Sequence, residues 1–295
     1  MDESAGTAAP AEPGGSPLIG AAELSRRLDE PGLRVIDARF ELADPAVGPA
    51  LYAAGHVPGA VYLDLDRDLA SPPGERGRHP LPDVPGLARK LEEHGVGREH
   101  EIVVYDQDGS MYAARAWWLL RYMGHDRVRV LDGGYRAYLS AGGPVTTRTP
   151  AHPATTFPVH LRPEMVVELD EVRSRLDDPR MLLLDARSPE RYRGETEPLD
   201  PKAGHVPGAI NLPYGSSVGP TGMLSRPELR SLYDVEALPD GDLVAYCGSG
   251  VSAAQLVLAL EVAGRPGVKL YPGSWSEWSR SDDLPVASGD EVRPS

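Results

Sequence analysis

The chain has one cysteine, Cys247, and it stands where an apolar run, Leu243-Val244-Ala245-Tyr246, gives way to Cys-Gly-Ser-Gly-Val-Ser-Ala-Ala and a helix-like stretch. A strand that ends in a small-residue turn and then starts a helix aims backbone N–H groups at the turn, where the helix N-terminal partial charge favours an anion. Those conditions favour a thiolate, the nucleophilic form of cysteine. With no second cysteine, an internal disulfide is excluded. Position alone leaves two readings open: a small buried apolar filler, or the centre of the chemistry.

The elements that must position Cys247 are written twice. Val35-Ile36-Asp37-Ala38-Arg39 is echoed by Leu183-Leu184-Asp185-Ala186-Arg187 at a shift of 148, and Gly55-His56-Val57-Pro58-Gly59-Ala60 recurs unchanged from Gly204 to Ala209 at a shift of 149. Val103-Val104-Tyr105-Asp106 matches Val244-Ala245-Tyr246-Cys247 at 141, and Leu131-Asp132-Gly133-Gly134-Tyr135 loosely matches Tyr271-Pro272-Gly273-Ser274-Trp275 at 140. A period this long means duplicated domains rather than a solenoid. Residues 1–16, mostly Ala, Gly, Pro, Ser and Glu, read as a disordered tail. A first domain is expected over 17–142, a Pro- and Thr-rich linker over 143–164, and a second domain over 165–290.

Buried strands are expected at Leu33 to Asp37, Glu101 to Tyr105 and Arg127 to Leu131, and again at Met181 to Asp185, Asp242 to Tyr246 and Val268 to Tyr271. Helices fall at Leu87 to His94, Met111 to Met123 and Gly134 to Leu139, then at Val167 to Leu176, Pro227 to Tyr233 and Ser252 to Val262. The alternation predicts an α/β fold: two domains, each a mainly parallel sheet with helices on both faces. Ligands bind beyond the carboxyl ends of such strands, and Cys247 falls at one.

Lys plus Arg total 30 against 44 Asp plus Glu, and the net charge of -14 disfavours nucleic acid or an anionic membrane as partner. The N-terminus has no basic segment followed by an apolar one, and the apolar stretch Val251 to Gly264 is too short to span a bilayer. A reducing, cytoplasmic setting is expected.

In this order and duplication, the twin Asp-Ala-Arg strand ends, the twin Gly-His-Val-Pro-Gly-Ala segments, the Cys247 loop and the closing Tyr271-Pro272-Gly273-Ser274-Trp275-Ser276-Glu277-Trp278 resemble tandem-domain rhodanese-like sulfurtransferases. That family includes thiosulfate sulfurtransferase and 3-mercaptopyruvate sulfurtransferase. The resemblance implies a non-catalytic first domain, with Asp106 at the position that matches Cys247, and a catalytic second one. It further implies that Cys247 takes the sulfane sulfur of a small donor as a persulfide and yields it to thioredoxin, a small thiol or cyanide. One cysteine suffices, with no cofactor and no metal. The loop Gly248, Ser249, Gly250, Val251 and Ser252 is expected to curl with its N–H groups pointing inward, Gly248 and Gly250 permitting the backbone angles; a plain tight turn is the competing reading.

A loop without basic residues looks like the mercaptopyruvate branch, in which a Ser, His and Asp set assists. By motif these are Ser249, His79 and Asp66, the last two from the first half; a structural histidine is the alternative for His79. Arg191 matches the family's first carboxylate-binding arginine. A second should lie near Glu197-Pro198-Leu199-Asp200 and does not, which leaves Arg193 or Lys202 as substitutes. Asp37, Asp185, His56 and His205 occur in both halves and read as structural. Trp275 and Trp278 either line a pocket mouth or seal a core. Two rivals remain. A cysteine phosphatase or arsenate reductase would need Arg six positions after the cysteine, where Ala253 stands. A sulfur-carrier or regulatory module would pass sulfur on without turning over a small donor.

Overall fold

The computed structural model describes residues 15–290; residues 1–14, the bulk of the expected tail, lie outside the described residues. The first half runs β1 (Leu18–Ile19), α1 (Ala21–Arg27), β2 (Leu33–Asp37), α2 (Val47–Ala54), β3 (Ala60–Tyr62), α3 (Val84–Glu93), β4 (Glu101–Tyr105), α4 (Met111–Tyr122), β5 (Val128–Leu131) and α5 (Gly134–Ser140). Its strands form one parallel sheet in the order β1-β5-β4-β2-β3. The second half runs α6 (Leu169–Ser174), β6 (Met181–Asp185), α7 (Pro189–Tyr192), β7 (Ile210–Asn211), a hairpin of β8 (Val218–Gly219) and β9 (Gly222–Met223), α8 (Arg226–Leu232), β10 (Asp242–Tyr246), α9 (Val251–Val262), β11 (Lys269–Leu270) and α10 (Ser274–Trp278). Here the parallel order is β11-β10-β6-β7.

Strand alternation sends neighbouring side chains to opposite faces of each sheet, and both faces are covered. In β4, Ile102 and Val104 join a core with α3 and α4, whereas Val103 and Tyr105 pack with Leu24 of α1 and Tyr135 and Tyr138 of α5. In β10, Leu243 and Ala245 face α9, whereas Val244 and Tyr246 face Trp275 and Trp278, which seal a core and line no pocket mouth. One apolar cluster runs through both halves, because α4 lies against α9.

The duplicated motifs fold as staples. Asp37 accepts from the backbone N–H of Arg39 (3.0 Å), from its guanidinium (2.6 Å) and from the Tyr105 hydroxyl (2.7 Å), while the same guanidinium donates to the Gly55 carbonyl (2.7 Å). Arg187 repeats this with Asp185 (2.6 Å) and the Gly204 carbonyl (2.6 Å). The strand end is thereby tied to the Gly-His turn, which explains why the two motifs recur together. His56 and His205 continue the ties: His56 bonds the Tyr52 carbonyl four residues back and His205 the Tyr192 carbonyl thirteen residues back, both at 2.8 Å.

In the first half the turn after the central strand is filled by its own side chain. Asp106, fully buried, accepts N–H bonds from Ser110 (3.0 Å), Tyr112 (2.9 Å) and Ala113 (3.2 Å). Burial pushes its carboxyl up to about 6, against the pull of those three donors. Asp106→Ala strands the donors and should cost about 1–3 kcal/mol in urea unfolding. Asp106→Asn keeps one acceptor oxygen and should cost less; the reverse order would contradict this account.

Candidate active site

The turn after β10 holds a sulfur where the first half holds a carboxylate. Cys247 is 2% exposed, and its Sγ accepts N–H bonds from Ser249 (3.4 Å) and Gly250 (3.1 Å). Gly250 has φ of 79°, a left-handed conformation that glycine adopts without strain, and this turns its N–H toward the sulfur. Gly248 has a different reason for being small: a Cβ there would lie 2.7 Å from Arg78 Nη2 and 3.3 Å from Arg191 Nη1. Val251 and Ser252, expected in the loop, are instead the first residues of α9, and the Val251 side chain is part of the core. Their N–H groups do not bond the sulfur; helix formation begins one residue earlier than the apolar pattern indicates.

The turn is held from behind by α10. The Cys247 N–H donates to Ser274 Oγ (3.1 Å), and the N–H groups of Trp275 and Ser276 donate to the carbonyls of Cys247 and Gly248, both at 2.9 Å. Ser276 Oγ also accepts from the Arg78 backbone N–H (3.0 Å), so the same short helix anchors a segment of the first domain.

That segment carries two groups to the sulfur. His79 Nδ1 lies 2.7 Å from Ser249 Oγ, and His79 Nε2 lies 3.4 Å from Asp66 Oδ1. The structure therefore brings Ser249, His79 and Asp66 together in one line across the domain boundary. Burial, with the charges of Arg115 and Arg78, pushes His79 down to about 4, so the imidazole is neutral at pH 7. With Nε2 protonated toward Asp66, Nδ1 is left as an acceptor for the Ser249 hydroxyl. Burial and neighbouring Asp64 push Asp66 upward.

Arg191 donates to Glu197 (2.7 Å) and Asp200 (3.2 Å), and Arg78 pairs with Asp200 from the other side. Two guanidinium groups thus flank Gly248 next to the sulfur, one from each domain. Neither expected substitute for the second arginine reaches the site: Arg193 pairs with Glu195, and Lys202 bonds the Ser281 carbonyl. Arg78 was missed because it stands 113 residues before Arg191 with no motif in common. Ser274 and Ser276, which hold the turn, were missed too, although both lie in the Tyr-Pro-Gly-Ser-Trp-Ser segment. Among the described residues there is no group of three or more His, Cys, Asp and Glu able to hold a metal, and no helix is long and apolar enough to cross a membrane.

Two parallel-sheet domains, each closing on a loop and helix after its central strand, with one cysteine between them, define a two-domain rhodanese-like protein. The Rhodanese-like domain model matches residues 20–141 and again 168–281, and the chain belongs to that family. A Pseudomonas aeruginosa protein named "Probable 3-mercaptopyruvate sulfurtransferase" is 42% identical over 92% of this chain and 98% of its own length. The thiosulfate sulfurtransferase of Bos taurus is 35% identical over 84% of this chain and 85% of its own. The crystal structure of the Escherichia coli 3-mercaptopyruvate enzyme superposes with a TM-score of 0.78 at 32% identity, covering 89% of this chain and all of that one.

His125, 2% exposed after α4, is pushed down to about 4 by burial, as His79 is. A folded value below the ordinary one favours the neutral form, so the stability each contributes is complete above about pH 6.5 and lost toward pH 4. Each accounts for about 3 kcal/mol at most. Thermal unfolding followed from pH 7.5 to pH 4 should fall steeply, and His125→Gln should reduce the fall; an unchanged slope in that variant would rule out a neutral buried His125.

Proposed function

We propose that this sulfurtransferase works through a persulfide on Cys247 and prefers 3-mercaptopyruvate as its donor. The observation that carries the reading is the line from Ser249 through His79 to Asp66, ending beside the sulfur. Thiosulfate transfer needs no proton: the thiolate takes the outer sulfur and sulfite leaves with the electron pair. Transfer from 3-mercaptopyruvate does need one. The Cys247 thiolate attacks the donor sulfur, the carbon–sulfur bond breaks with its electron pair on carbon, and an enolate forms. The proton left on the outer sulfur is the one the enolate carbon requires to become pyruvate. Ser249 and a neutral His79 can carry it between them, with Asp66 orienting the ring.

Two N–H groups stabilise the sulfur anion before and after transfer. The donor carboxylate is assigned to Arg191 and Arg78, whose planar guanidinium groups suit it. Glu197 and Asp200 partly neutralise these arginines, which disfavours a doubly charged donor relative to a singly charged one. A thiol acceptor, thioredoxin or a small thiol, or cyanide, then removes the outer sulfur. A cytoplasmic location, where thiols are kept reduced, suits this chemistry.

Cys247→Ser should abolish cyanide-dependent thiocyanate formation from either donor while the fold persists; retained turnover would sink the mechanism. His79→Asn should lower kcat with 3-mercaptopyruvate about a hundredfold or more and leave thiosulfate turnover within a few fold. Equal losses on both donors would remove the relay from the mechanism. Arg78→Met should raise KM for 3-mercaptopyruvate, and an unchanged KM would take Arg78 out of donor binding.

A further inference from the structure

Arg115 is the most unusual charge in the molecule. It lies within the apolar face of α4, between Ala114 and Ala116, and is fully buried. Its guanidinium donates to four carbonyl oxygens: Leu69 (3.2 Å), His79 (3.2 Å), Pro80 (3.4 Å) and Gly250 (3.3 Å). Among the described residues no carboxylate lies within ion-pair distance of it. The two comparable buried arginines, Arg39 and Arg187, each have an aspartate. An isolated buried cation is costly unless an anion offsets it. The sulfur is linked to it through one residue: Gly250, which offers its carbonyl to Arg115 (3.3 Å), offers its N–H to Cys247 Sγ (3.1 Å).

We propose that Arg115, on the non-catalytic domain, is the buried counter-charge of the Cys247 thiolate and of the persulfide anion that follows it, acting as a positioning residue through Gly250. The internal repeat supports this. Matching α4 to α9 by their first residues places Gln255 opposite Arg115, also fully buried but neutral. The fold therefore does not require a cation at this place; the copy of it that approaches the cysteine turn has one. Burial pushes Arg115 down to about 10 and the Cys247 charge pushes the other way, so the guanidinium stays charged at pH 7. The other groups around the sulfur are Arg78 and Arg191, which share Asp200, neutral His79 beyond Ser249, and Tyr214, which burial and the Cys247 charge push upward. Arg115 is the cation of this set whose hydrogen bonds reach no carboxylate.

The inference rests on Cys247 being the working thiolate, and its test reads ionisation without turnover. Cys247 is the single thiol, so iodoacetamide alkylation followed across pH reports it alone. Arg115→Gln, copying Gln255, and Arg115→Met should move the alkylation midpoint up by about one pH unit or more. Below both midpoints the rate should then fall about tenfold. Arg115→Lys should hold the midpoint close to that of the parent. A folded Gln variant, judged by near-ultraviolet circular dichroism, that alkylates with the parent's midpoint would overturn the proposal and leave Arg115 a staple. If sulfur transfer still depended on Cys247 in that case, only the role of Arg115 would be lost. Where the neutral variants do not fold, the Arg115 Nε–H resonance answers in the parent protein. It should move with pH at the alkylation midpoint and stay still in Cys247→Ser; a resonance that does not move in the parent overturns the proposal.

Discussion

The contact of α4 with α9 is the constraint from which the rest of the structure follows. Each helix begins at the turn after the central strand of its own sheet, so packing one on the other joins two equivalent turns into one region. The contact is apolar and continuous with the cores beneath it, which makes it far more extensive than the polar links at its margin. It brings the Arg78 to Pro80 segment over the cysteine turn, and α10 then fastens that segment through Ser276. Neither half alone contains the groups assembled around the sulfur. The duplication thus serves as more than a record of ancestry: the copy without a cysteine supplies the wall, the histidine and the cations.

Charge in this wall is arranged by a simple rule. Where the structure needs rigidity, as in the Asp37–Arg39 and Asp185–Arg187 staples, acid and base are paired and fully bonded. Such pairs contribute little net stability after desolvation, and their value lies in fixing the ends of the strands that feed the turns. Next to the sulfur the pairing is left incomplete. The arginines there outnumber the carboxylates they bond, and the region can take up a negative ligand without importing a counter-ion.

The parts of the fold that were legible in the sequence are those with enough residues to carry a pattern. β2, β4, β6 and β10 fall where their apolar runs put them, since central parallel strands are buried on both faces and must be continuous. β1, β7 and α7 are too short for any periodicity, and their positions depend on edge pairing and on the Gly-His turns. At the site, the turn that holds Cys247 was legible locally, but position alone left the cysteine as either a buried filler or a nucleophile. Ser249, His79 and Asp66 became legible through the family motifs, because nothing local relates residues 170 positions apart. Arg78 and Arg115 were not legible at all. A cation in a helical run reads as a solvent-facing charge, and only the packing of α4 turns Arg115 inward.

The turn filled by Asp106 bears on capacity. Both halves build a nest of N–H groups for an anion, but in the first half that nest is permanently occupied by a group that cannot leave. A donor arriving there finds neither a nucleophile nor a vacant seat. On the proposed persulfide mechanism the stoichiometry of loading follows: a chain with two turns of common origin and one cysteine would store a single equivalent of transferable sulfur.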